Sequence, residues 1–411
     1  FQRILSKINL GRDMIDKIFH TQNLLFFNGR SASCLSFFQY NKSVQVGDLR
    51  AKKLQDRKSQ LHSLQPPLFP DLSVCYNKLI DNLHNNAPDN GSTKGDESMV
   101  MDKEEIQAIL EKALAEGRNV LYEGKVASYI PELAKANSGN LGVCLMRKDG
   151  SVYCAGDYDI PFTMQSISKT FSLILALQTA GYDKVFSKIG MEPTGDRFDS
   201  ILQLELKDWR PFNPMINAGA IVTASCIETP DPYQSFLELV RTLCGNPRIG
   251  LNESVYRSEK KTGTRNRSIA YLLKSDNVLD GEPEEVLDVY FRMCSVMVTA
   301  RDLAHYGMIL SNHGVDPQTG KQLVDSTIVR IVTTLMMLCG MYDESGEYAV
   351  KIGLPSKSGV GGGICAIARH GIGIGTFGPM LNKKGNSVGG ERILRVLSES
   401  LGLHVFDTKE F

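Results

Sequence analysis

Ser166 and Lys169 stand three residues apart in QSISK, just before the apolar run TFSLILAL. Residues at i and i+3 share one face of a helix. If a helix begins near Ser166, its Oγ and the Lys169 amine come within hydrogen-bond reach. The helix N-terminus adds N–H donors and partial positive charge, which favour an alkoxide-like nucleophile and the oxyanion formed after attack. A lysine normally stays protonated to about pH 10, so it acts as a base only where burial or a nearby cation lowers its pKa. The flanking apolar residues supply the burial. The plain alternative is a polar helix start followed by a core helix. Ser-x-x-Lys arises by chance on the order of one or two times in a chain this long, so the pair needs a second element.

KSGVGGG at 357–363 is that element. It follows a strand pattern and contains Lys-Ser-Gly. Serine acyl-transfer enzymes of the β-lactamase and penicillin-binding type combine Ser-x-x-Lys with Lys-[Ser/Thr]-Gly on an edge strand. There the strand N–H joins that of the nucleophile in the oxyanion hole. Three glycines after Val360 let a substrate approach the backbone closely. Read in isolation, the same glycines fit a flexible loop equally well.

From about 105 to 398 the chain resembles the serine-dependent glutaminase family. The resemblance rests on GKVASYIPELA, FTMQSISKTFSL, NPMINAGAIV, SEKKTGTRN, YFRMCS, CGMYDESGEYA, LPSKSGVGGGI and GNSVGGERIL, in that order, over about 70% of the chain. It implies a β-lactamase-like fold that hydrolyses L-glutamine to L-glutamate and ammonia without a cofactor. It implies Ser166 as nucleophile and Lys169 as the proton acceptor that activates it. Tyr342 of GMYDESG then relays a proton to the leaving ammonia or activates the hydrolytic water. The Val360 backbone N–H joins that of Ser166 in holding the oxyanion. The resemblance also places Tyr129, Asn217, Glu259, Asn266 and Tyr290 around the substrate, with Glu259 as the anion for its ammonium and amides and phenols orienting its carboxylate. Ser168, two residues on, turns to another face and is read as structural. Family members are usually oligomers, commonly tetramers. Two other readings stand beside this one: a β-lactamase-like acyl hydrolase, and a non-catalytic binding or scaffold protein that keeps the fold.

The elements that must position these residues are legible in outline. DKEEIQAILEKALAEGRN predicts an amphipathic helix with Ile106, Ile109, Leu110 and Leu114 on one face and a capping-box spacing at Asp102 and Glu105. NLGVCLMRKDGSVYCAGD alternates about Asp149-Gly150 and predicts a β-hairpin. Residues 166–345 are mostly helical in pattern, as in TFSLILALQTAG, ILQLEL and TARDLAHYGMILSN. YAVKIGLP, GGICAIARHG and IGIGTFG predict short strands separated by glycines, and RILRVLSESLG a closing helix. The fold class expected is α/β of the β-lactamase and penicillin-binding-protein type: an antiparallel sheet flanked by helices, plus an all-helical subdomain. The expected domains are an extension at 1–98 with a linker at 85–98, and a catalytic domain at 99–411. The latter's α/β part comes from about 99–165 and 346–411, around a helical insertion at about 166–345. No ankyrin-type period follows residue 390.

Bulk composition excludes several classes. Of 411 residues, 42% are hydrophobic and 22% charged, with 46 basic against 46 acidic residues. That balance gives no electrostatic case for a nucleic-acid partner. No apolar run approaches the roughly 20 residues of a membrane span. The histidines and cysteines show no metal spacing. Nine cysteines without a CxxC pair, several in apolar settings, favour buried free thiols in an intracellular, reducing compartment. The chain opens on Phe1, as a fragment or processed product would. Residues 1–50 carry seven Lys/Arg against three acidic residues. That suits a mitochondrial-type presequence or a basic arm with no addressing role in a cytoplasmic protein.

Overall fold

The computed structural model describes residues 102–195, 197–201 and 210–407. The linker expected at 85–98, the basic segment at 1–50 and most of ILQLEL lie outside them.

Helix α1 (Lys103–Arg118) starts where Asp102 accepts the Glu105 N–H at 2.7 Å. It buries Ile106, Leu110, Ala113 and Gly117, while Ile109 and Leu114 are only half-buried beside that face. The hairpin follows as β1 (Gly142–Arg147) and β2 (Val152–Gly156), with Cys144 opposite Cys154. Gly150 takes φ +90° at its turn, a conformation open to glycine and strained for most other residues. β3 (Phe162–Thr163) leads into a 3-10 turn, Gln165–Ile167, and then α2 (Ser168–Thr179).

The helical part continues with α3 (Tyr182–Lys188), α4 (Asn217–Ser225), α5 (Pro232–Leu243), α6 (Glu253–Thr262), α7 (Thr264–Ser275) and α8 (Pro283–Cys294). β4 (Met297–Val298) pairs with β3. After α9 (Ala300–Ser311) and α10 (Ser326–Cys339) comes a 3-10 turn at Tyr342–Glu344, then α11 (Ser345–Lys351). β5 (Ser356–Ser358), β6 (Gly363–Ala368), β7 (Ile372–Phe377) and α12 (Val388–Leu401) complete the order. Gly402, at φ +63°, ends α12 in the left-handed conformation that glycine tolerates.

The main sheet runs β2-β1-β7-β6-β5, with every neighbouring pair antiparallel. Both ends of the catalytic region therefore supply strands to one sheet. One core joins Val143, Leu145, Ile364 and Ile374 of the sheet to Ile106 and Leu110 of α1 and Ile393 and Leu397 of α12. The other face of β7 carries Gly373 and Gly375. A Cβ on Gly373 would meet Met308 N at 2.0 Å, and one on Gly375 would meet Ala300 O at 1.9 Å. Glycine at these places lets α9 lie backbone against backbone on the sheet. The described residues of 166–345 are thus helical in bulk, yet α9 among them belongs physically to the sheet. This is a β-lactamase-like fold of antiparallel sheet, flanking helices and a helical part.

Two expectations are corrected. YAVKIGLP is not a strand: its first four residues end α11, and β5 starts only at Ser356. Tyr348 is buried while Val350 is 80% exposed, and Glu347 pairs with Lys351 one helical turn on. The alternation in the sequence was therefore local coincidence, overridden by packing of one helix face. The reading of all cysteines as free thiols also fails at one place. Cys144 and Cys154 are joined across the hairpin, with Cα atoms 4.2 Å apart, because the register sets them face to face. Cys226, Cys244, Cys294, Cys339 and Cys365 are free and buried.

Candidate active site

Ser166 lies in the 3-10 turn that feeds α2, one residue after Gln165 at φ +48°. A non-glycine residue there is uncommon and persists only where its surroundings hold it. The surroundings are the glycine run. A Cβ on Gly359 would fall 2.3 Å from Met164 O, and one on Gly361 2.2 Å from Thr163 O. The chain around Val360 is thereby seated directly on the chain entering Ser166. Gly359 N and Gly362 N bond within the loop, to Gly363 O and Gly359 O. The Val360 side chain packs with Ile130, Leu133, Val255 and Leu381.

Lys169, in the first turn of α2, is 1% exposed. Its amine donates to Asn217 Oδ1 at 2.7 Å and to Met215 O at 3.1 Å. Asn217 passes the link on, donating from Nδ2 to Asn266 Oδ1 at 2.9 Å. Burial lowers the Lys169 pKa to about 8, against the opposite pull of Cys294, Glu259 and Asp199. Such a lysine has a neutral fraction that an exposed one lacks. Ser168 turns away toward Cys294, with Oγ 3.7 Å from its Sγ.

Glu259 is a buried carboxyl in α6. Burial pushes its pKa up to about 8, resisted by a hydrogen bond from Gln165 and by Lys169. Its Oε2 accepts nothing among the described residues. A buried acceptor without a donor is costly unless a ligand supplies one. Tyr290 is buried in α8, hydrogen-bonded to Cys294 and near Glu259. Tyr129 stands at the rim, 56% exposed as a residue, yet its phenol reaches inward, where burial first and then Tyr342, Glu259 and Cys294 hold its pKa well above the ordinary value.

Tyr342 comes from the turn after α10, at φ +56°. Its hydroxyl bonds Ser166 and donates to Ser358 O at 3.3 Å. Burial raises the phenol to about 12, and the bonds to Ser166 and Ser358 moderate the rise. Phe198 packs on the ring at 4.8 Å. All nine residues expected from the sequence thus fall in one neighbourhood.

Three further side chains join them. Lys357 is fully buried, its amine 4.3 Å from the centre of the Tyr342 ring, donating to Gly340 O at 2.9 Å and Ser358 O at 2.8 Å. Burial, and after it the charge of Lys169, holds its pKa well below the ordinary lysine value. Gln165 holds Glu259, and Cys294, pushed up to about 12 by burial, lies between Ser168 and Tyr290. Lys357 carried a signal in its Lys-Ser-Gly motif. Gln165 and Cys294 carried none, since their partners lie far away in sequence.

Similarity to known proteins agrees with this geometry. The family description of glutaminases matches residues 124–406. Glutaminase 2 of Clostridium perfringens is 50% identical over 305 residues, covering 73% of this chain and 100% of that protein. The chain belongs to the glutaminase family. Among solved glutaminase structures, a probable glutaminase of Bacillus subtilis aligns with TM-score 0.69 at 37% identity, over 73% of this chain and 98% of its own. A B. subtilis glutaminase was also solved as a covalent complex with 5-oxo-L-norleucine, formed by reaction with 6-diazo-5-oxo-L-norleucine. It aligns with TM-score 0.67 at 35% identity, over 73% of this chain and 100% of its own. Among the described residues of this glutaminase-family chain, no helix is long and apolar enough to cross a membrane.

Proposed function

We propose that this chain hydrolyses L-glutamine to L-glutamate and ammonia through a glutamyl ester on Ser166. The observation that carries the reading is the unpartnered, buried Glu259 Oε2, on a carboxyl bonded to Gln165 next to Ser166, whose hydroxyl bonds a tyrosine. An anion lacking a donor suits the α-ammonium of a free amino acid and suits a lactam or an internal peptide poorly. The covalent complex of the B. subtilis relative supports a nucleophile in that protein.

The steps follow from the groups present. Neutral Lys169 accepts the Ser166 Oγ proton as Oγ bonds to the side-chain amide carbon. The N–H groups of Ser166 and Val360 receive the oxyanion. The C–N bond then breaks, and Tyr342 relays a proton to the nitrogen, which leaves as ammonia. Water attacks the ester, its proton returns through the same groups, and glutamate departs. Asn217, Asn266, Tyr129 and Tyr290 orient the substrate. A homotetramer belongs to the same reading and is tested by light scattering. The deciding assay is ammonia release from L-glutamine, with L-asparagine and D-glutamine as controls, on wild type and Ser166→Ala. Release that survives Ser166→Ala refutes the nucleophile. No release from the wild-type oligomer, with phosphate added, leaves the binding-protein reading in its place.

A further inference from the structure

The turn that carries Tyr342 is gripped by a second polar cluster. Glu344 closes that turn, and Glu391 lies in the first turn of α12. Their carboxyls converge on one donor: Asn382 Nδ2 donates to Glu344 Oε2 at 2.8 Å and to Glu391 Oε2 at 3.4 Å. Asn386 is fully buried. Its Nδ2 donates to Glu344 Oε2 at 2.8 Å and to Met341 O at 3.3 Å, and its Oδ1 accepts from Ser358 Oγ at 2.6 Å. The carbonyl of the same Ser358 accepts the Tyr342 hydroxyl. Glu344 therefore anchors a chain of bonds that reaches Tyr342 from both ends: its backbone through Met341, its phenol through Ser358.

Two carboxyls this close do not both ionise readily. Glu391 Oε1 is buried and accepts no hydrogen bond among the described residues. A buried carboxylate oxygen that no donor reaches is costly to ionise, which favours the neutral acid there. Burial raises the Glu391 pKa to about 8. Glu344 and Glu347 add to the rise, and Lys384 opposes it. These are the charged groups that face the pair from the Tyr342 turn, α11 and the loop before α12. Tyr342 itself sits at φ +56°, which persists only when neighbours impose it.

We propose that Glu344 and Glu391 share one proton and, in that form, position Tyr342 for proton transfer. The inference rests on the role given to Tyr342 above. When the proton leaves, two like charges meet at one amide, Glu344 withdraws from Asn386, and the Tyr342 turn loosens. The native pKa of Glu391 is raised above the ordinary glutamate value. The folded state therefore keeps a proton that the unfolded chain releases. The stability tied to that proton is complete below the unfolded value and is lost as pH rises through about 8.

The test compares kcat against pH for wild type and Glu391→Gln at saturating L-glutamine, so that free substrate does not contribute its own titration. Wild-type kcat is expected to rise with Lys169 deprotonation and then fall on the alkaline side. Glu391→Gln stays neutral and keeps its hydrogen bonds, so the fall should vanish, with kcat at about pH 9.5 at least roughly three-fold above wild type and KM within about two-fold. A purely structural role would lower kcat equally at every pH. An unchanged alkaline limb in the variant overturns the proposal. If Glu391→Gln fails to fold, Glu344→Gln makes the same comparison from the other carboxyl. Infrared difference spectra read the proton without catalysis. At about pH 7, a carboxylic-acid band larger in wild type than in Glu391→Gln, above the Glu259 band that both share, supports the shared proton, and equal bands in the two overturn it. The band without any glutamine hydrolysis would instead overturn the reaction assigned above, and with it the catalytic half of this inference.

Discussion

Two walls of the site, α2 and β5, each bury a lysine, and they are built differently. On the α2 wall, Lys169 is held by one side-chain amide and one carbonyl, and the amide belongs to Asn217, which leads on to Asn266. On the β5 wall, Lys357 is held by two main-chain carbonyls, one from its own strand and one from Gly340 at the end of α10. Burial lowers the pKa of both amines. Yet the first is tied to polar side chains that can rearrange with substrate, while the second bolts the Tyr342 turn to the strand. Burial makes a base available. The partners decide whether the amine moves a proton or holds a backbone.

The contrast breaks most sharply at the α2 wall. Ser166→Ala should lower kcat at least about 10³-fold with Tm little changed, and Lys169→Met about 10²–10⁴-fold with a loss of about 1–3 kcal/mol as Asn217 Oδ1 and Met215 O lose their donor, in ammonia release and melting assays. The acid-side limb of wild-type kcat/KM should rise toward about pH 8, ahead of the alkaline fall assigned to Glu391, because Lys169 acts when neutral and Glu259 binds ammonium when ionised. That limb should stay in place in Lys357→Met. A limb that moves with Lys357 would exchange the two roles.

The β5 wall should answer in stability. Gly361→Ala drives a methyl group against Thr163 O, and overpacking of this kind costs about 1–3 kcal/mol. Denaturant melts should show it, with kcat reduced because Ser166 shifts. Lys357→Met strips the donor from two buried carbonyls, for about 1–3 kcal/mol, and lowers kcat roughly tenfold through Tyr342. A loss above about 10³-fold with unchanged Tm would make Lys357 the base instead. The smallest effect belongs to the rim: Tyr129→Phe should raise KM a few-fold, about 0.5–1 kcal/mol, with kcat near wild type in steady-state assays.

Local pattern was a good guide wherever neighbours in sequence are also neighbours in space. Asp102 before an amphipathic run made a capped helix, and Asp149-Gly150 between alternating segments made a hairpin. Gly402 ended α12 because a left-handed residue was needed there. The pattern misled at YAVK, where period-two alternation lasts only a few residues and a helix face wins by burying Tyr348. It also misled on two of the cysteines, where it favoured free thiols, since only the register of β1 against β2 sets Cys144 against Cys154. At the site, family blocks named the residues, but not Gln165 holding Glu259, nor the grip of Asn386 on the Tyr342 turn.

By itself the sequence determined the motif chemistry: a serine three residues before a lysine, a Lys-Ser-Gly strand with glycines after it, and helices and turns to carry them. Folding alone decided what those groups can do. Desolvation of Lys169, the left-handed turn at Tyr342 and the meeting of Glu344 with Glu391 depend on segments tens of positions apart closing on one another. A pKa answers to the density and charge of everything within a few ångströms, and most of what surrounds these residues lies tens to hundreds of positions away along the chain.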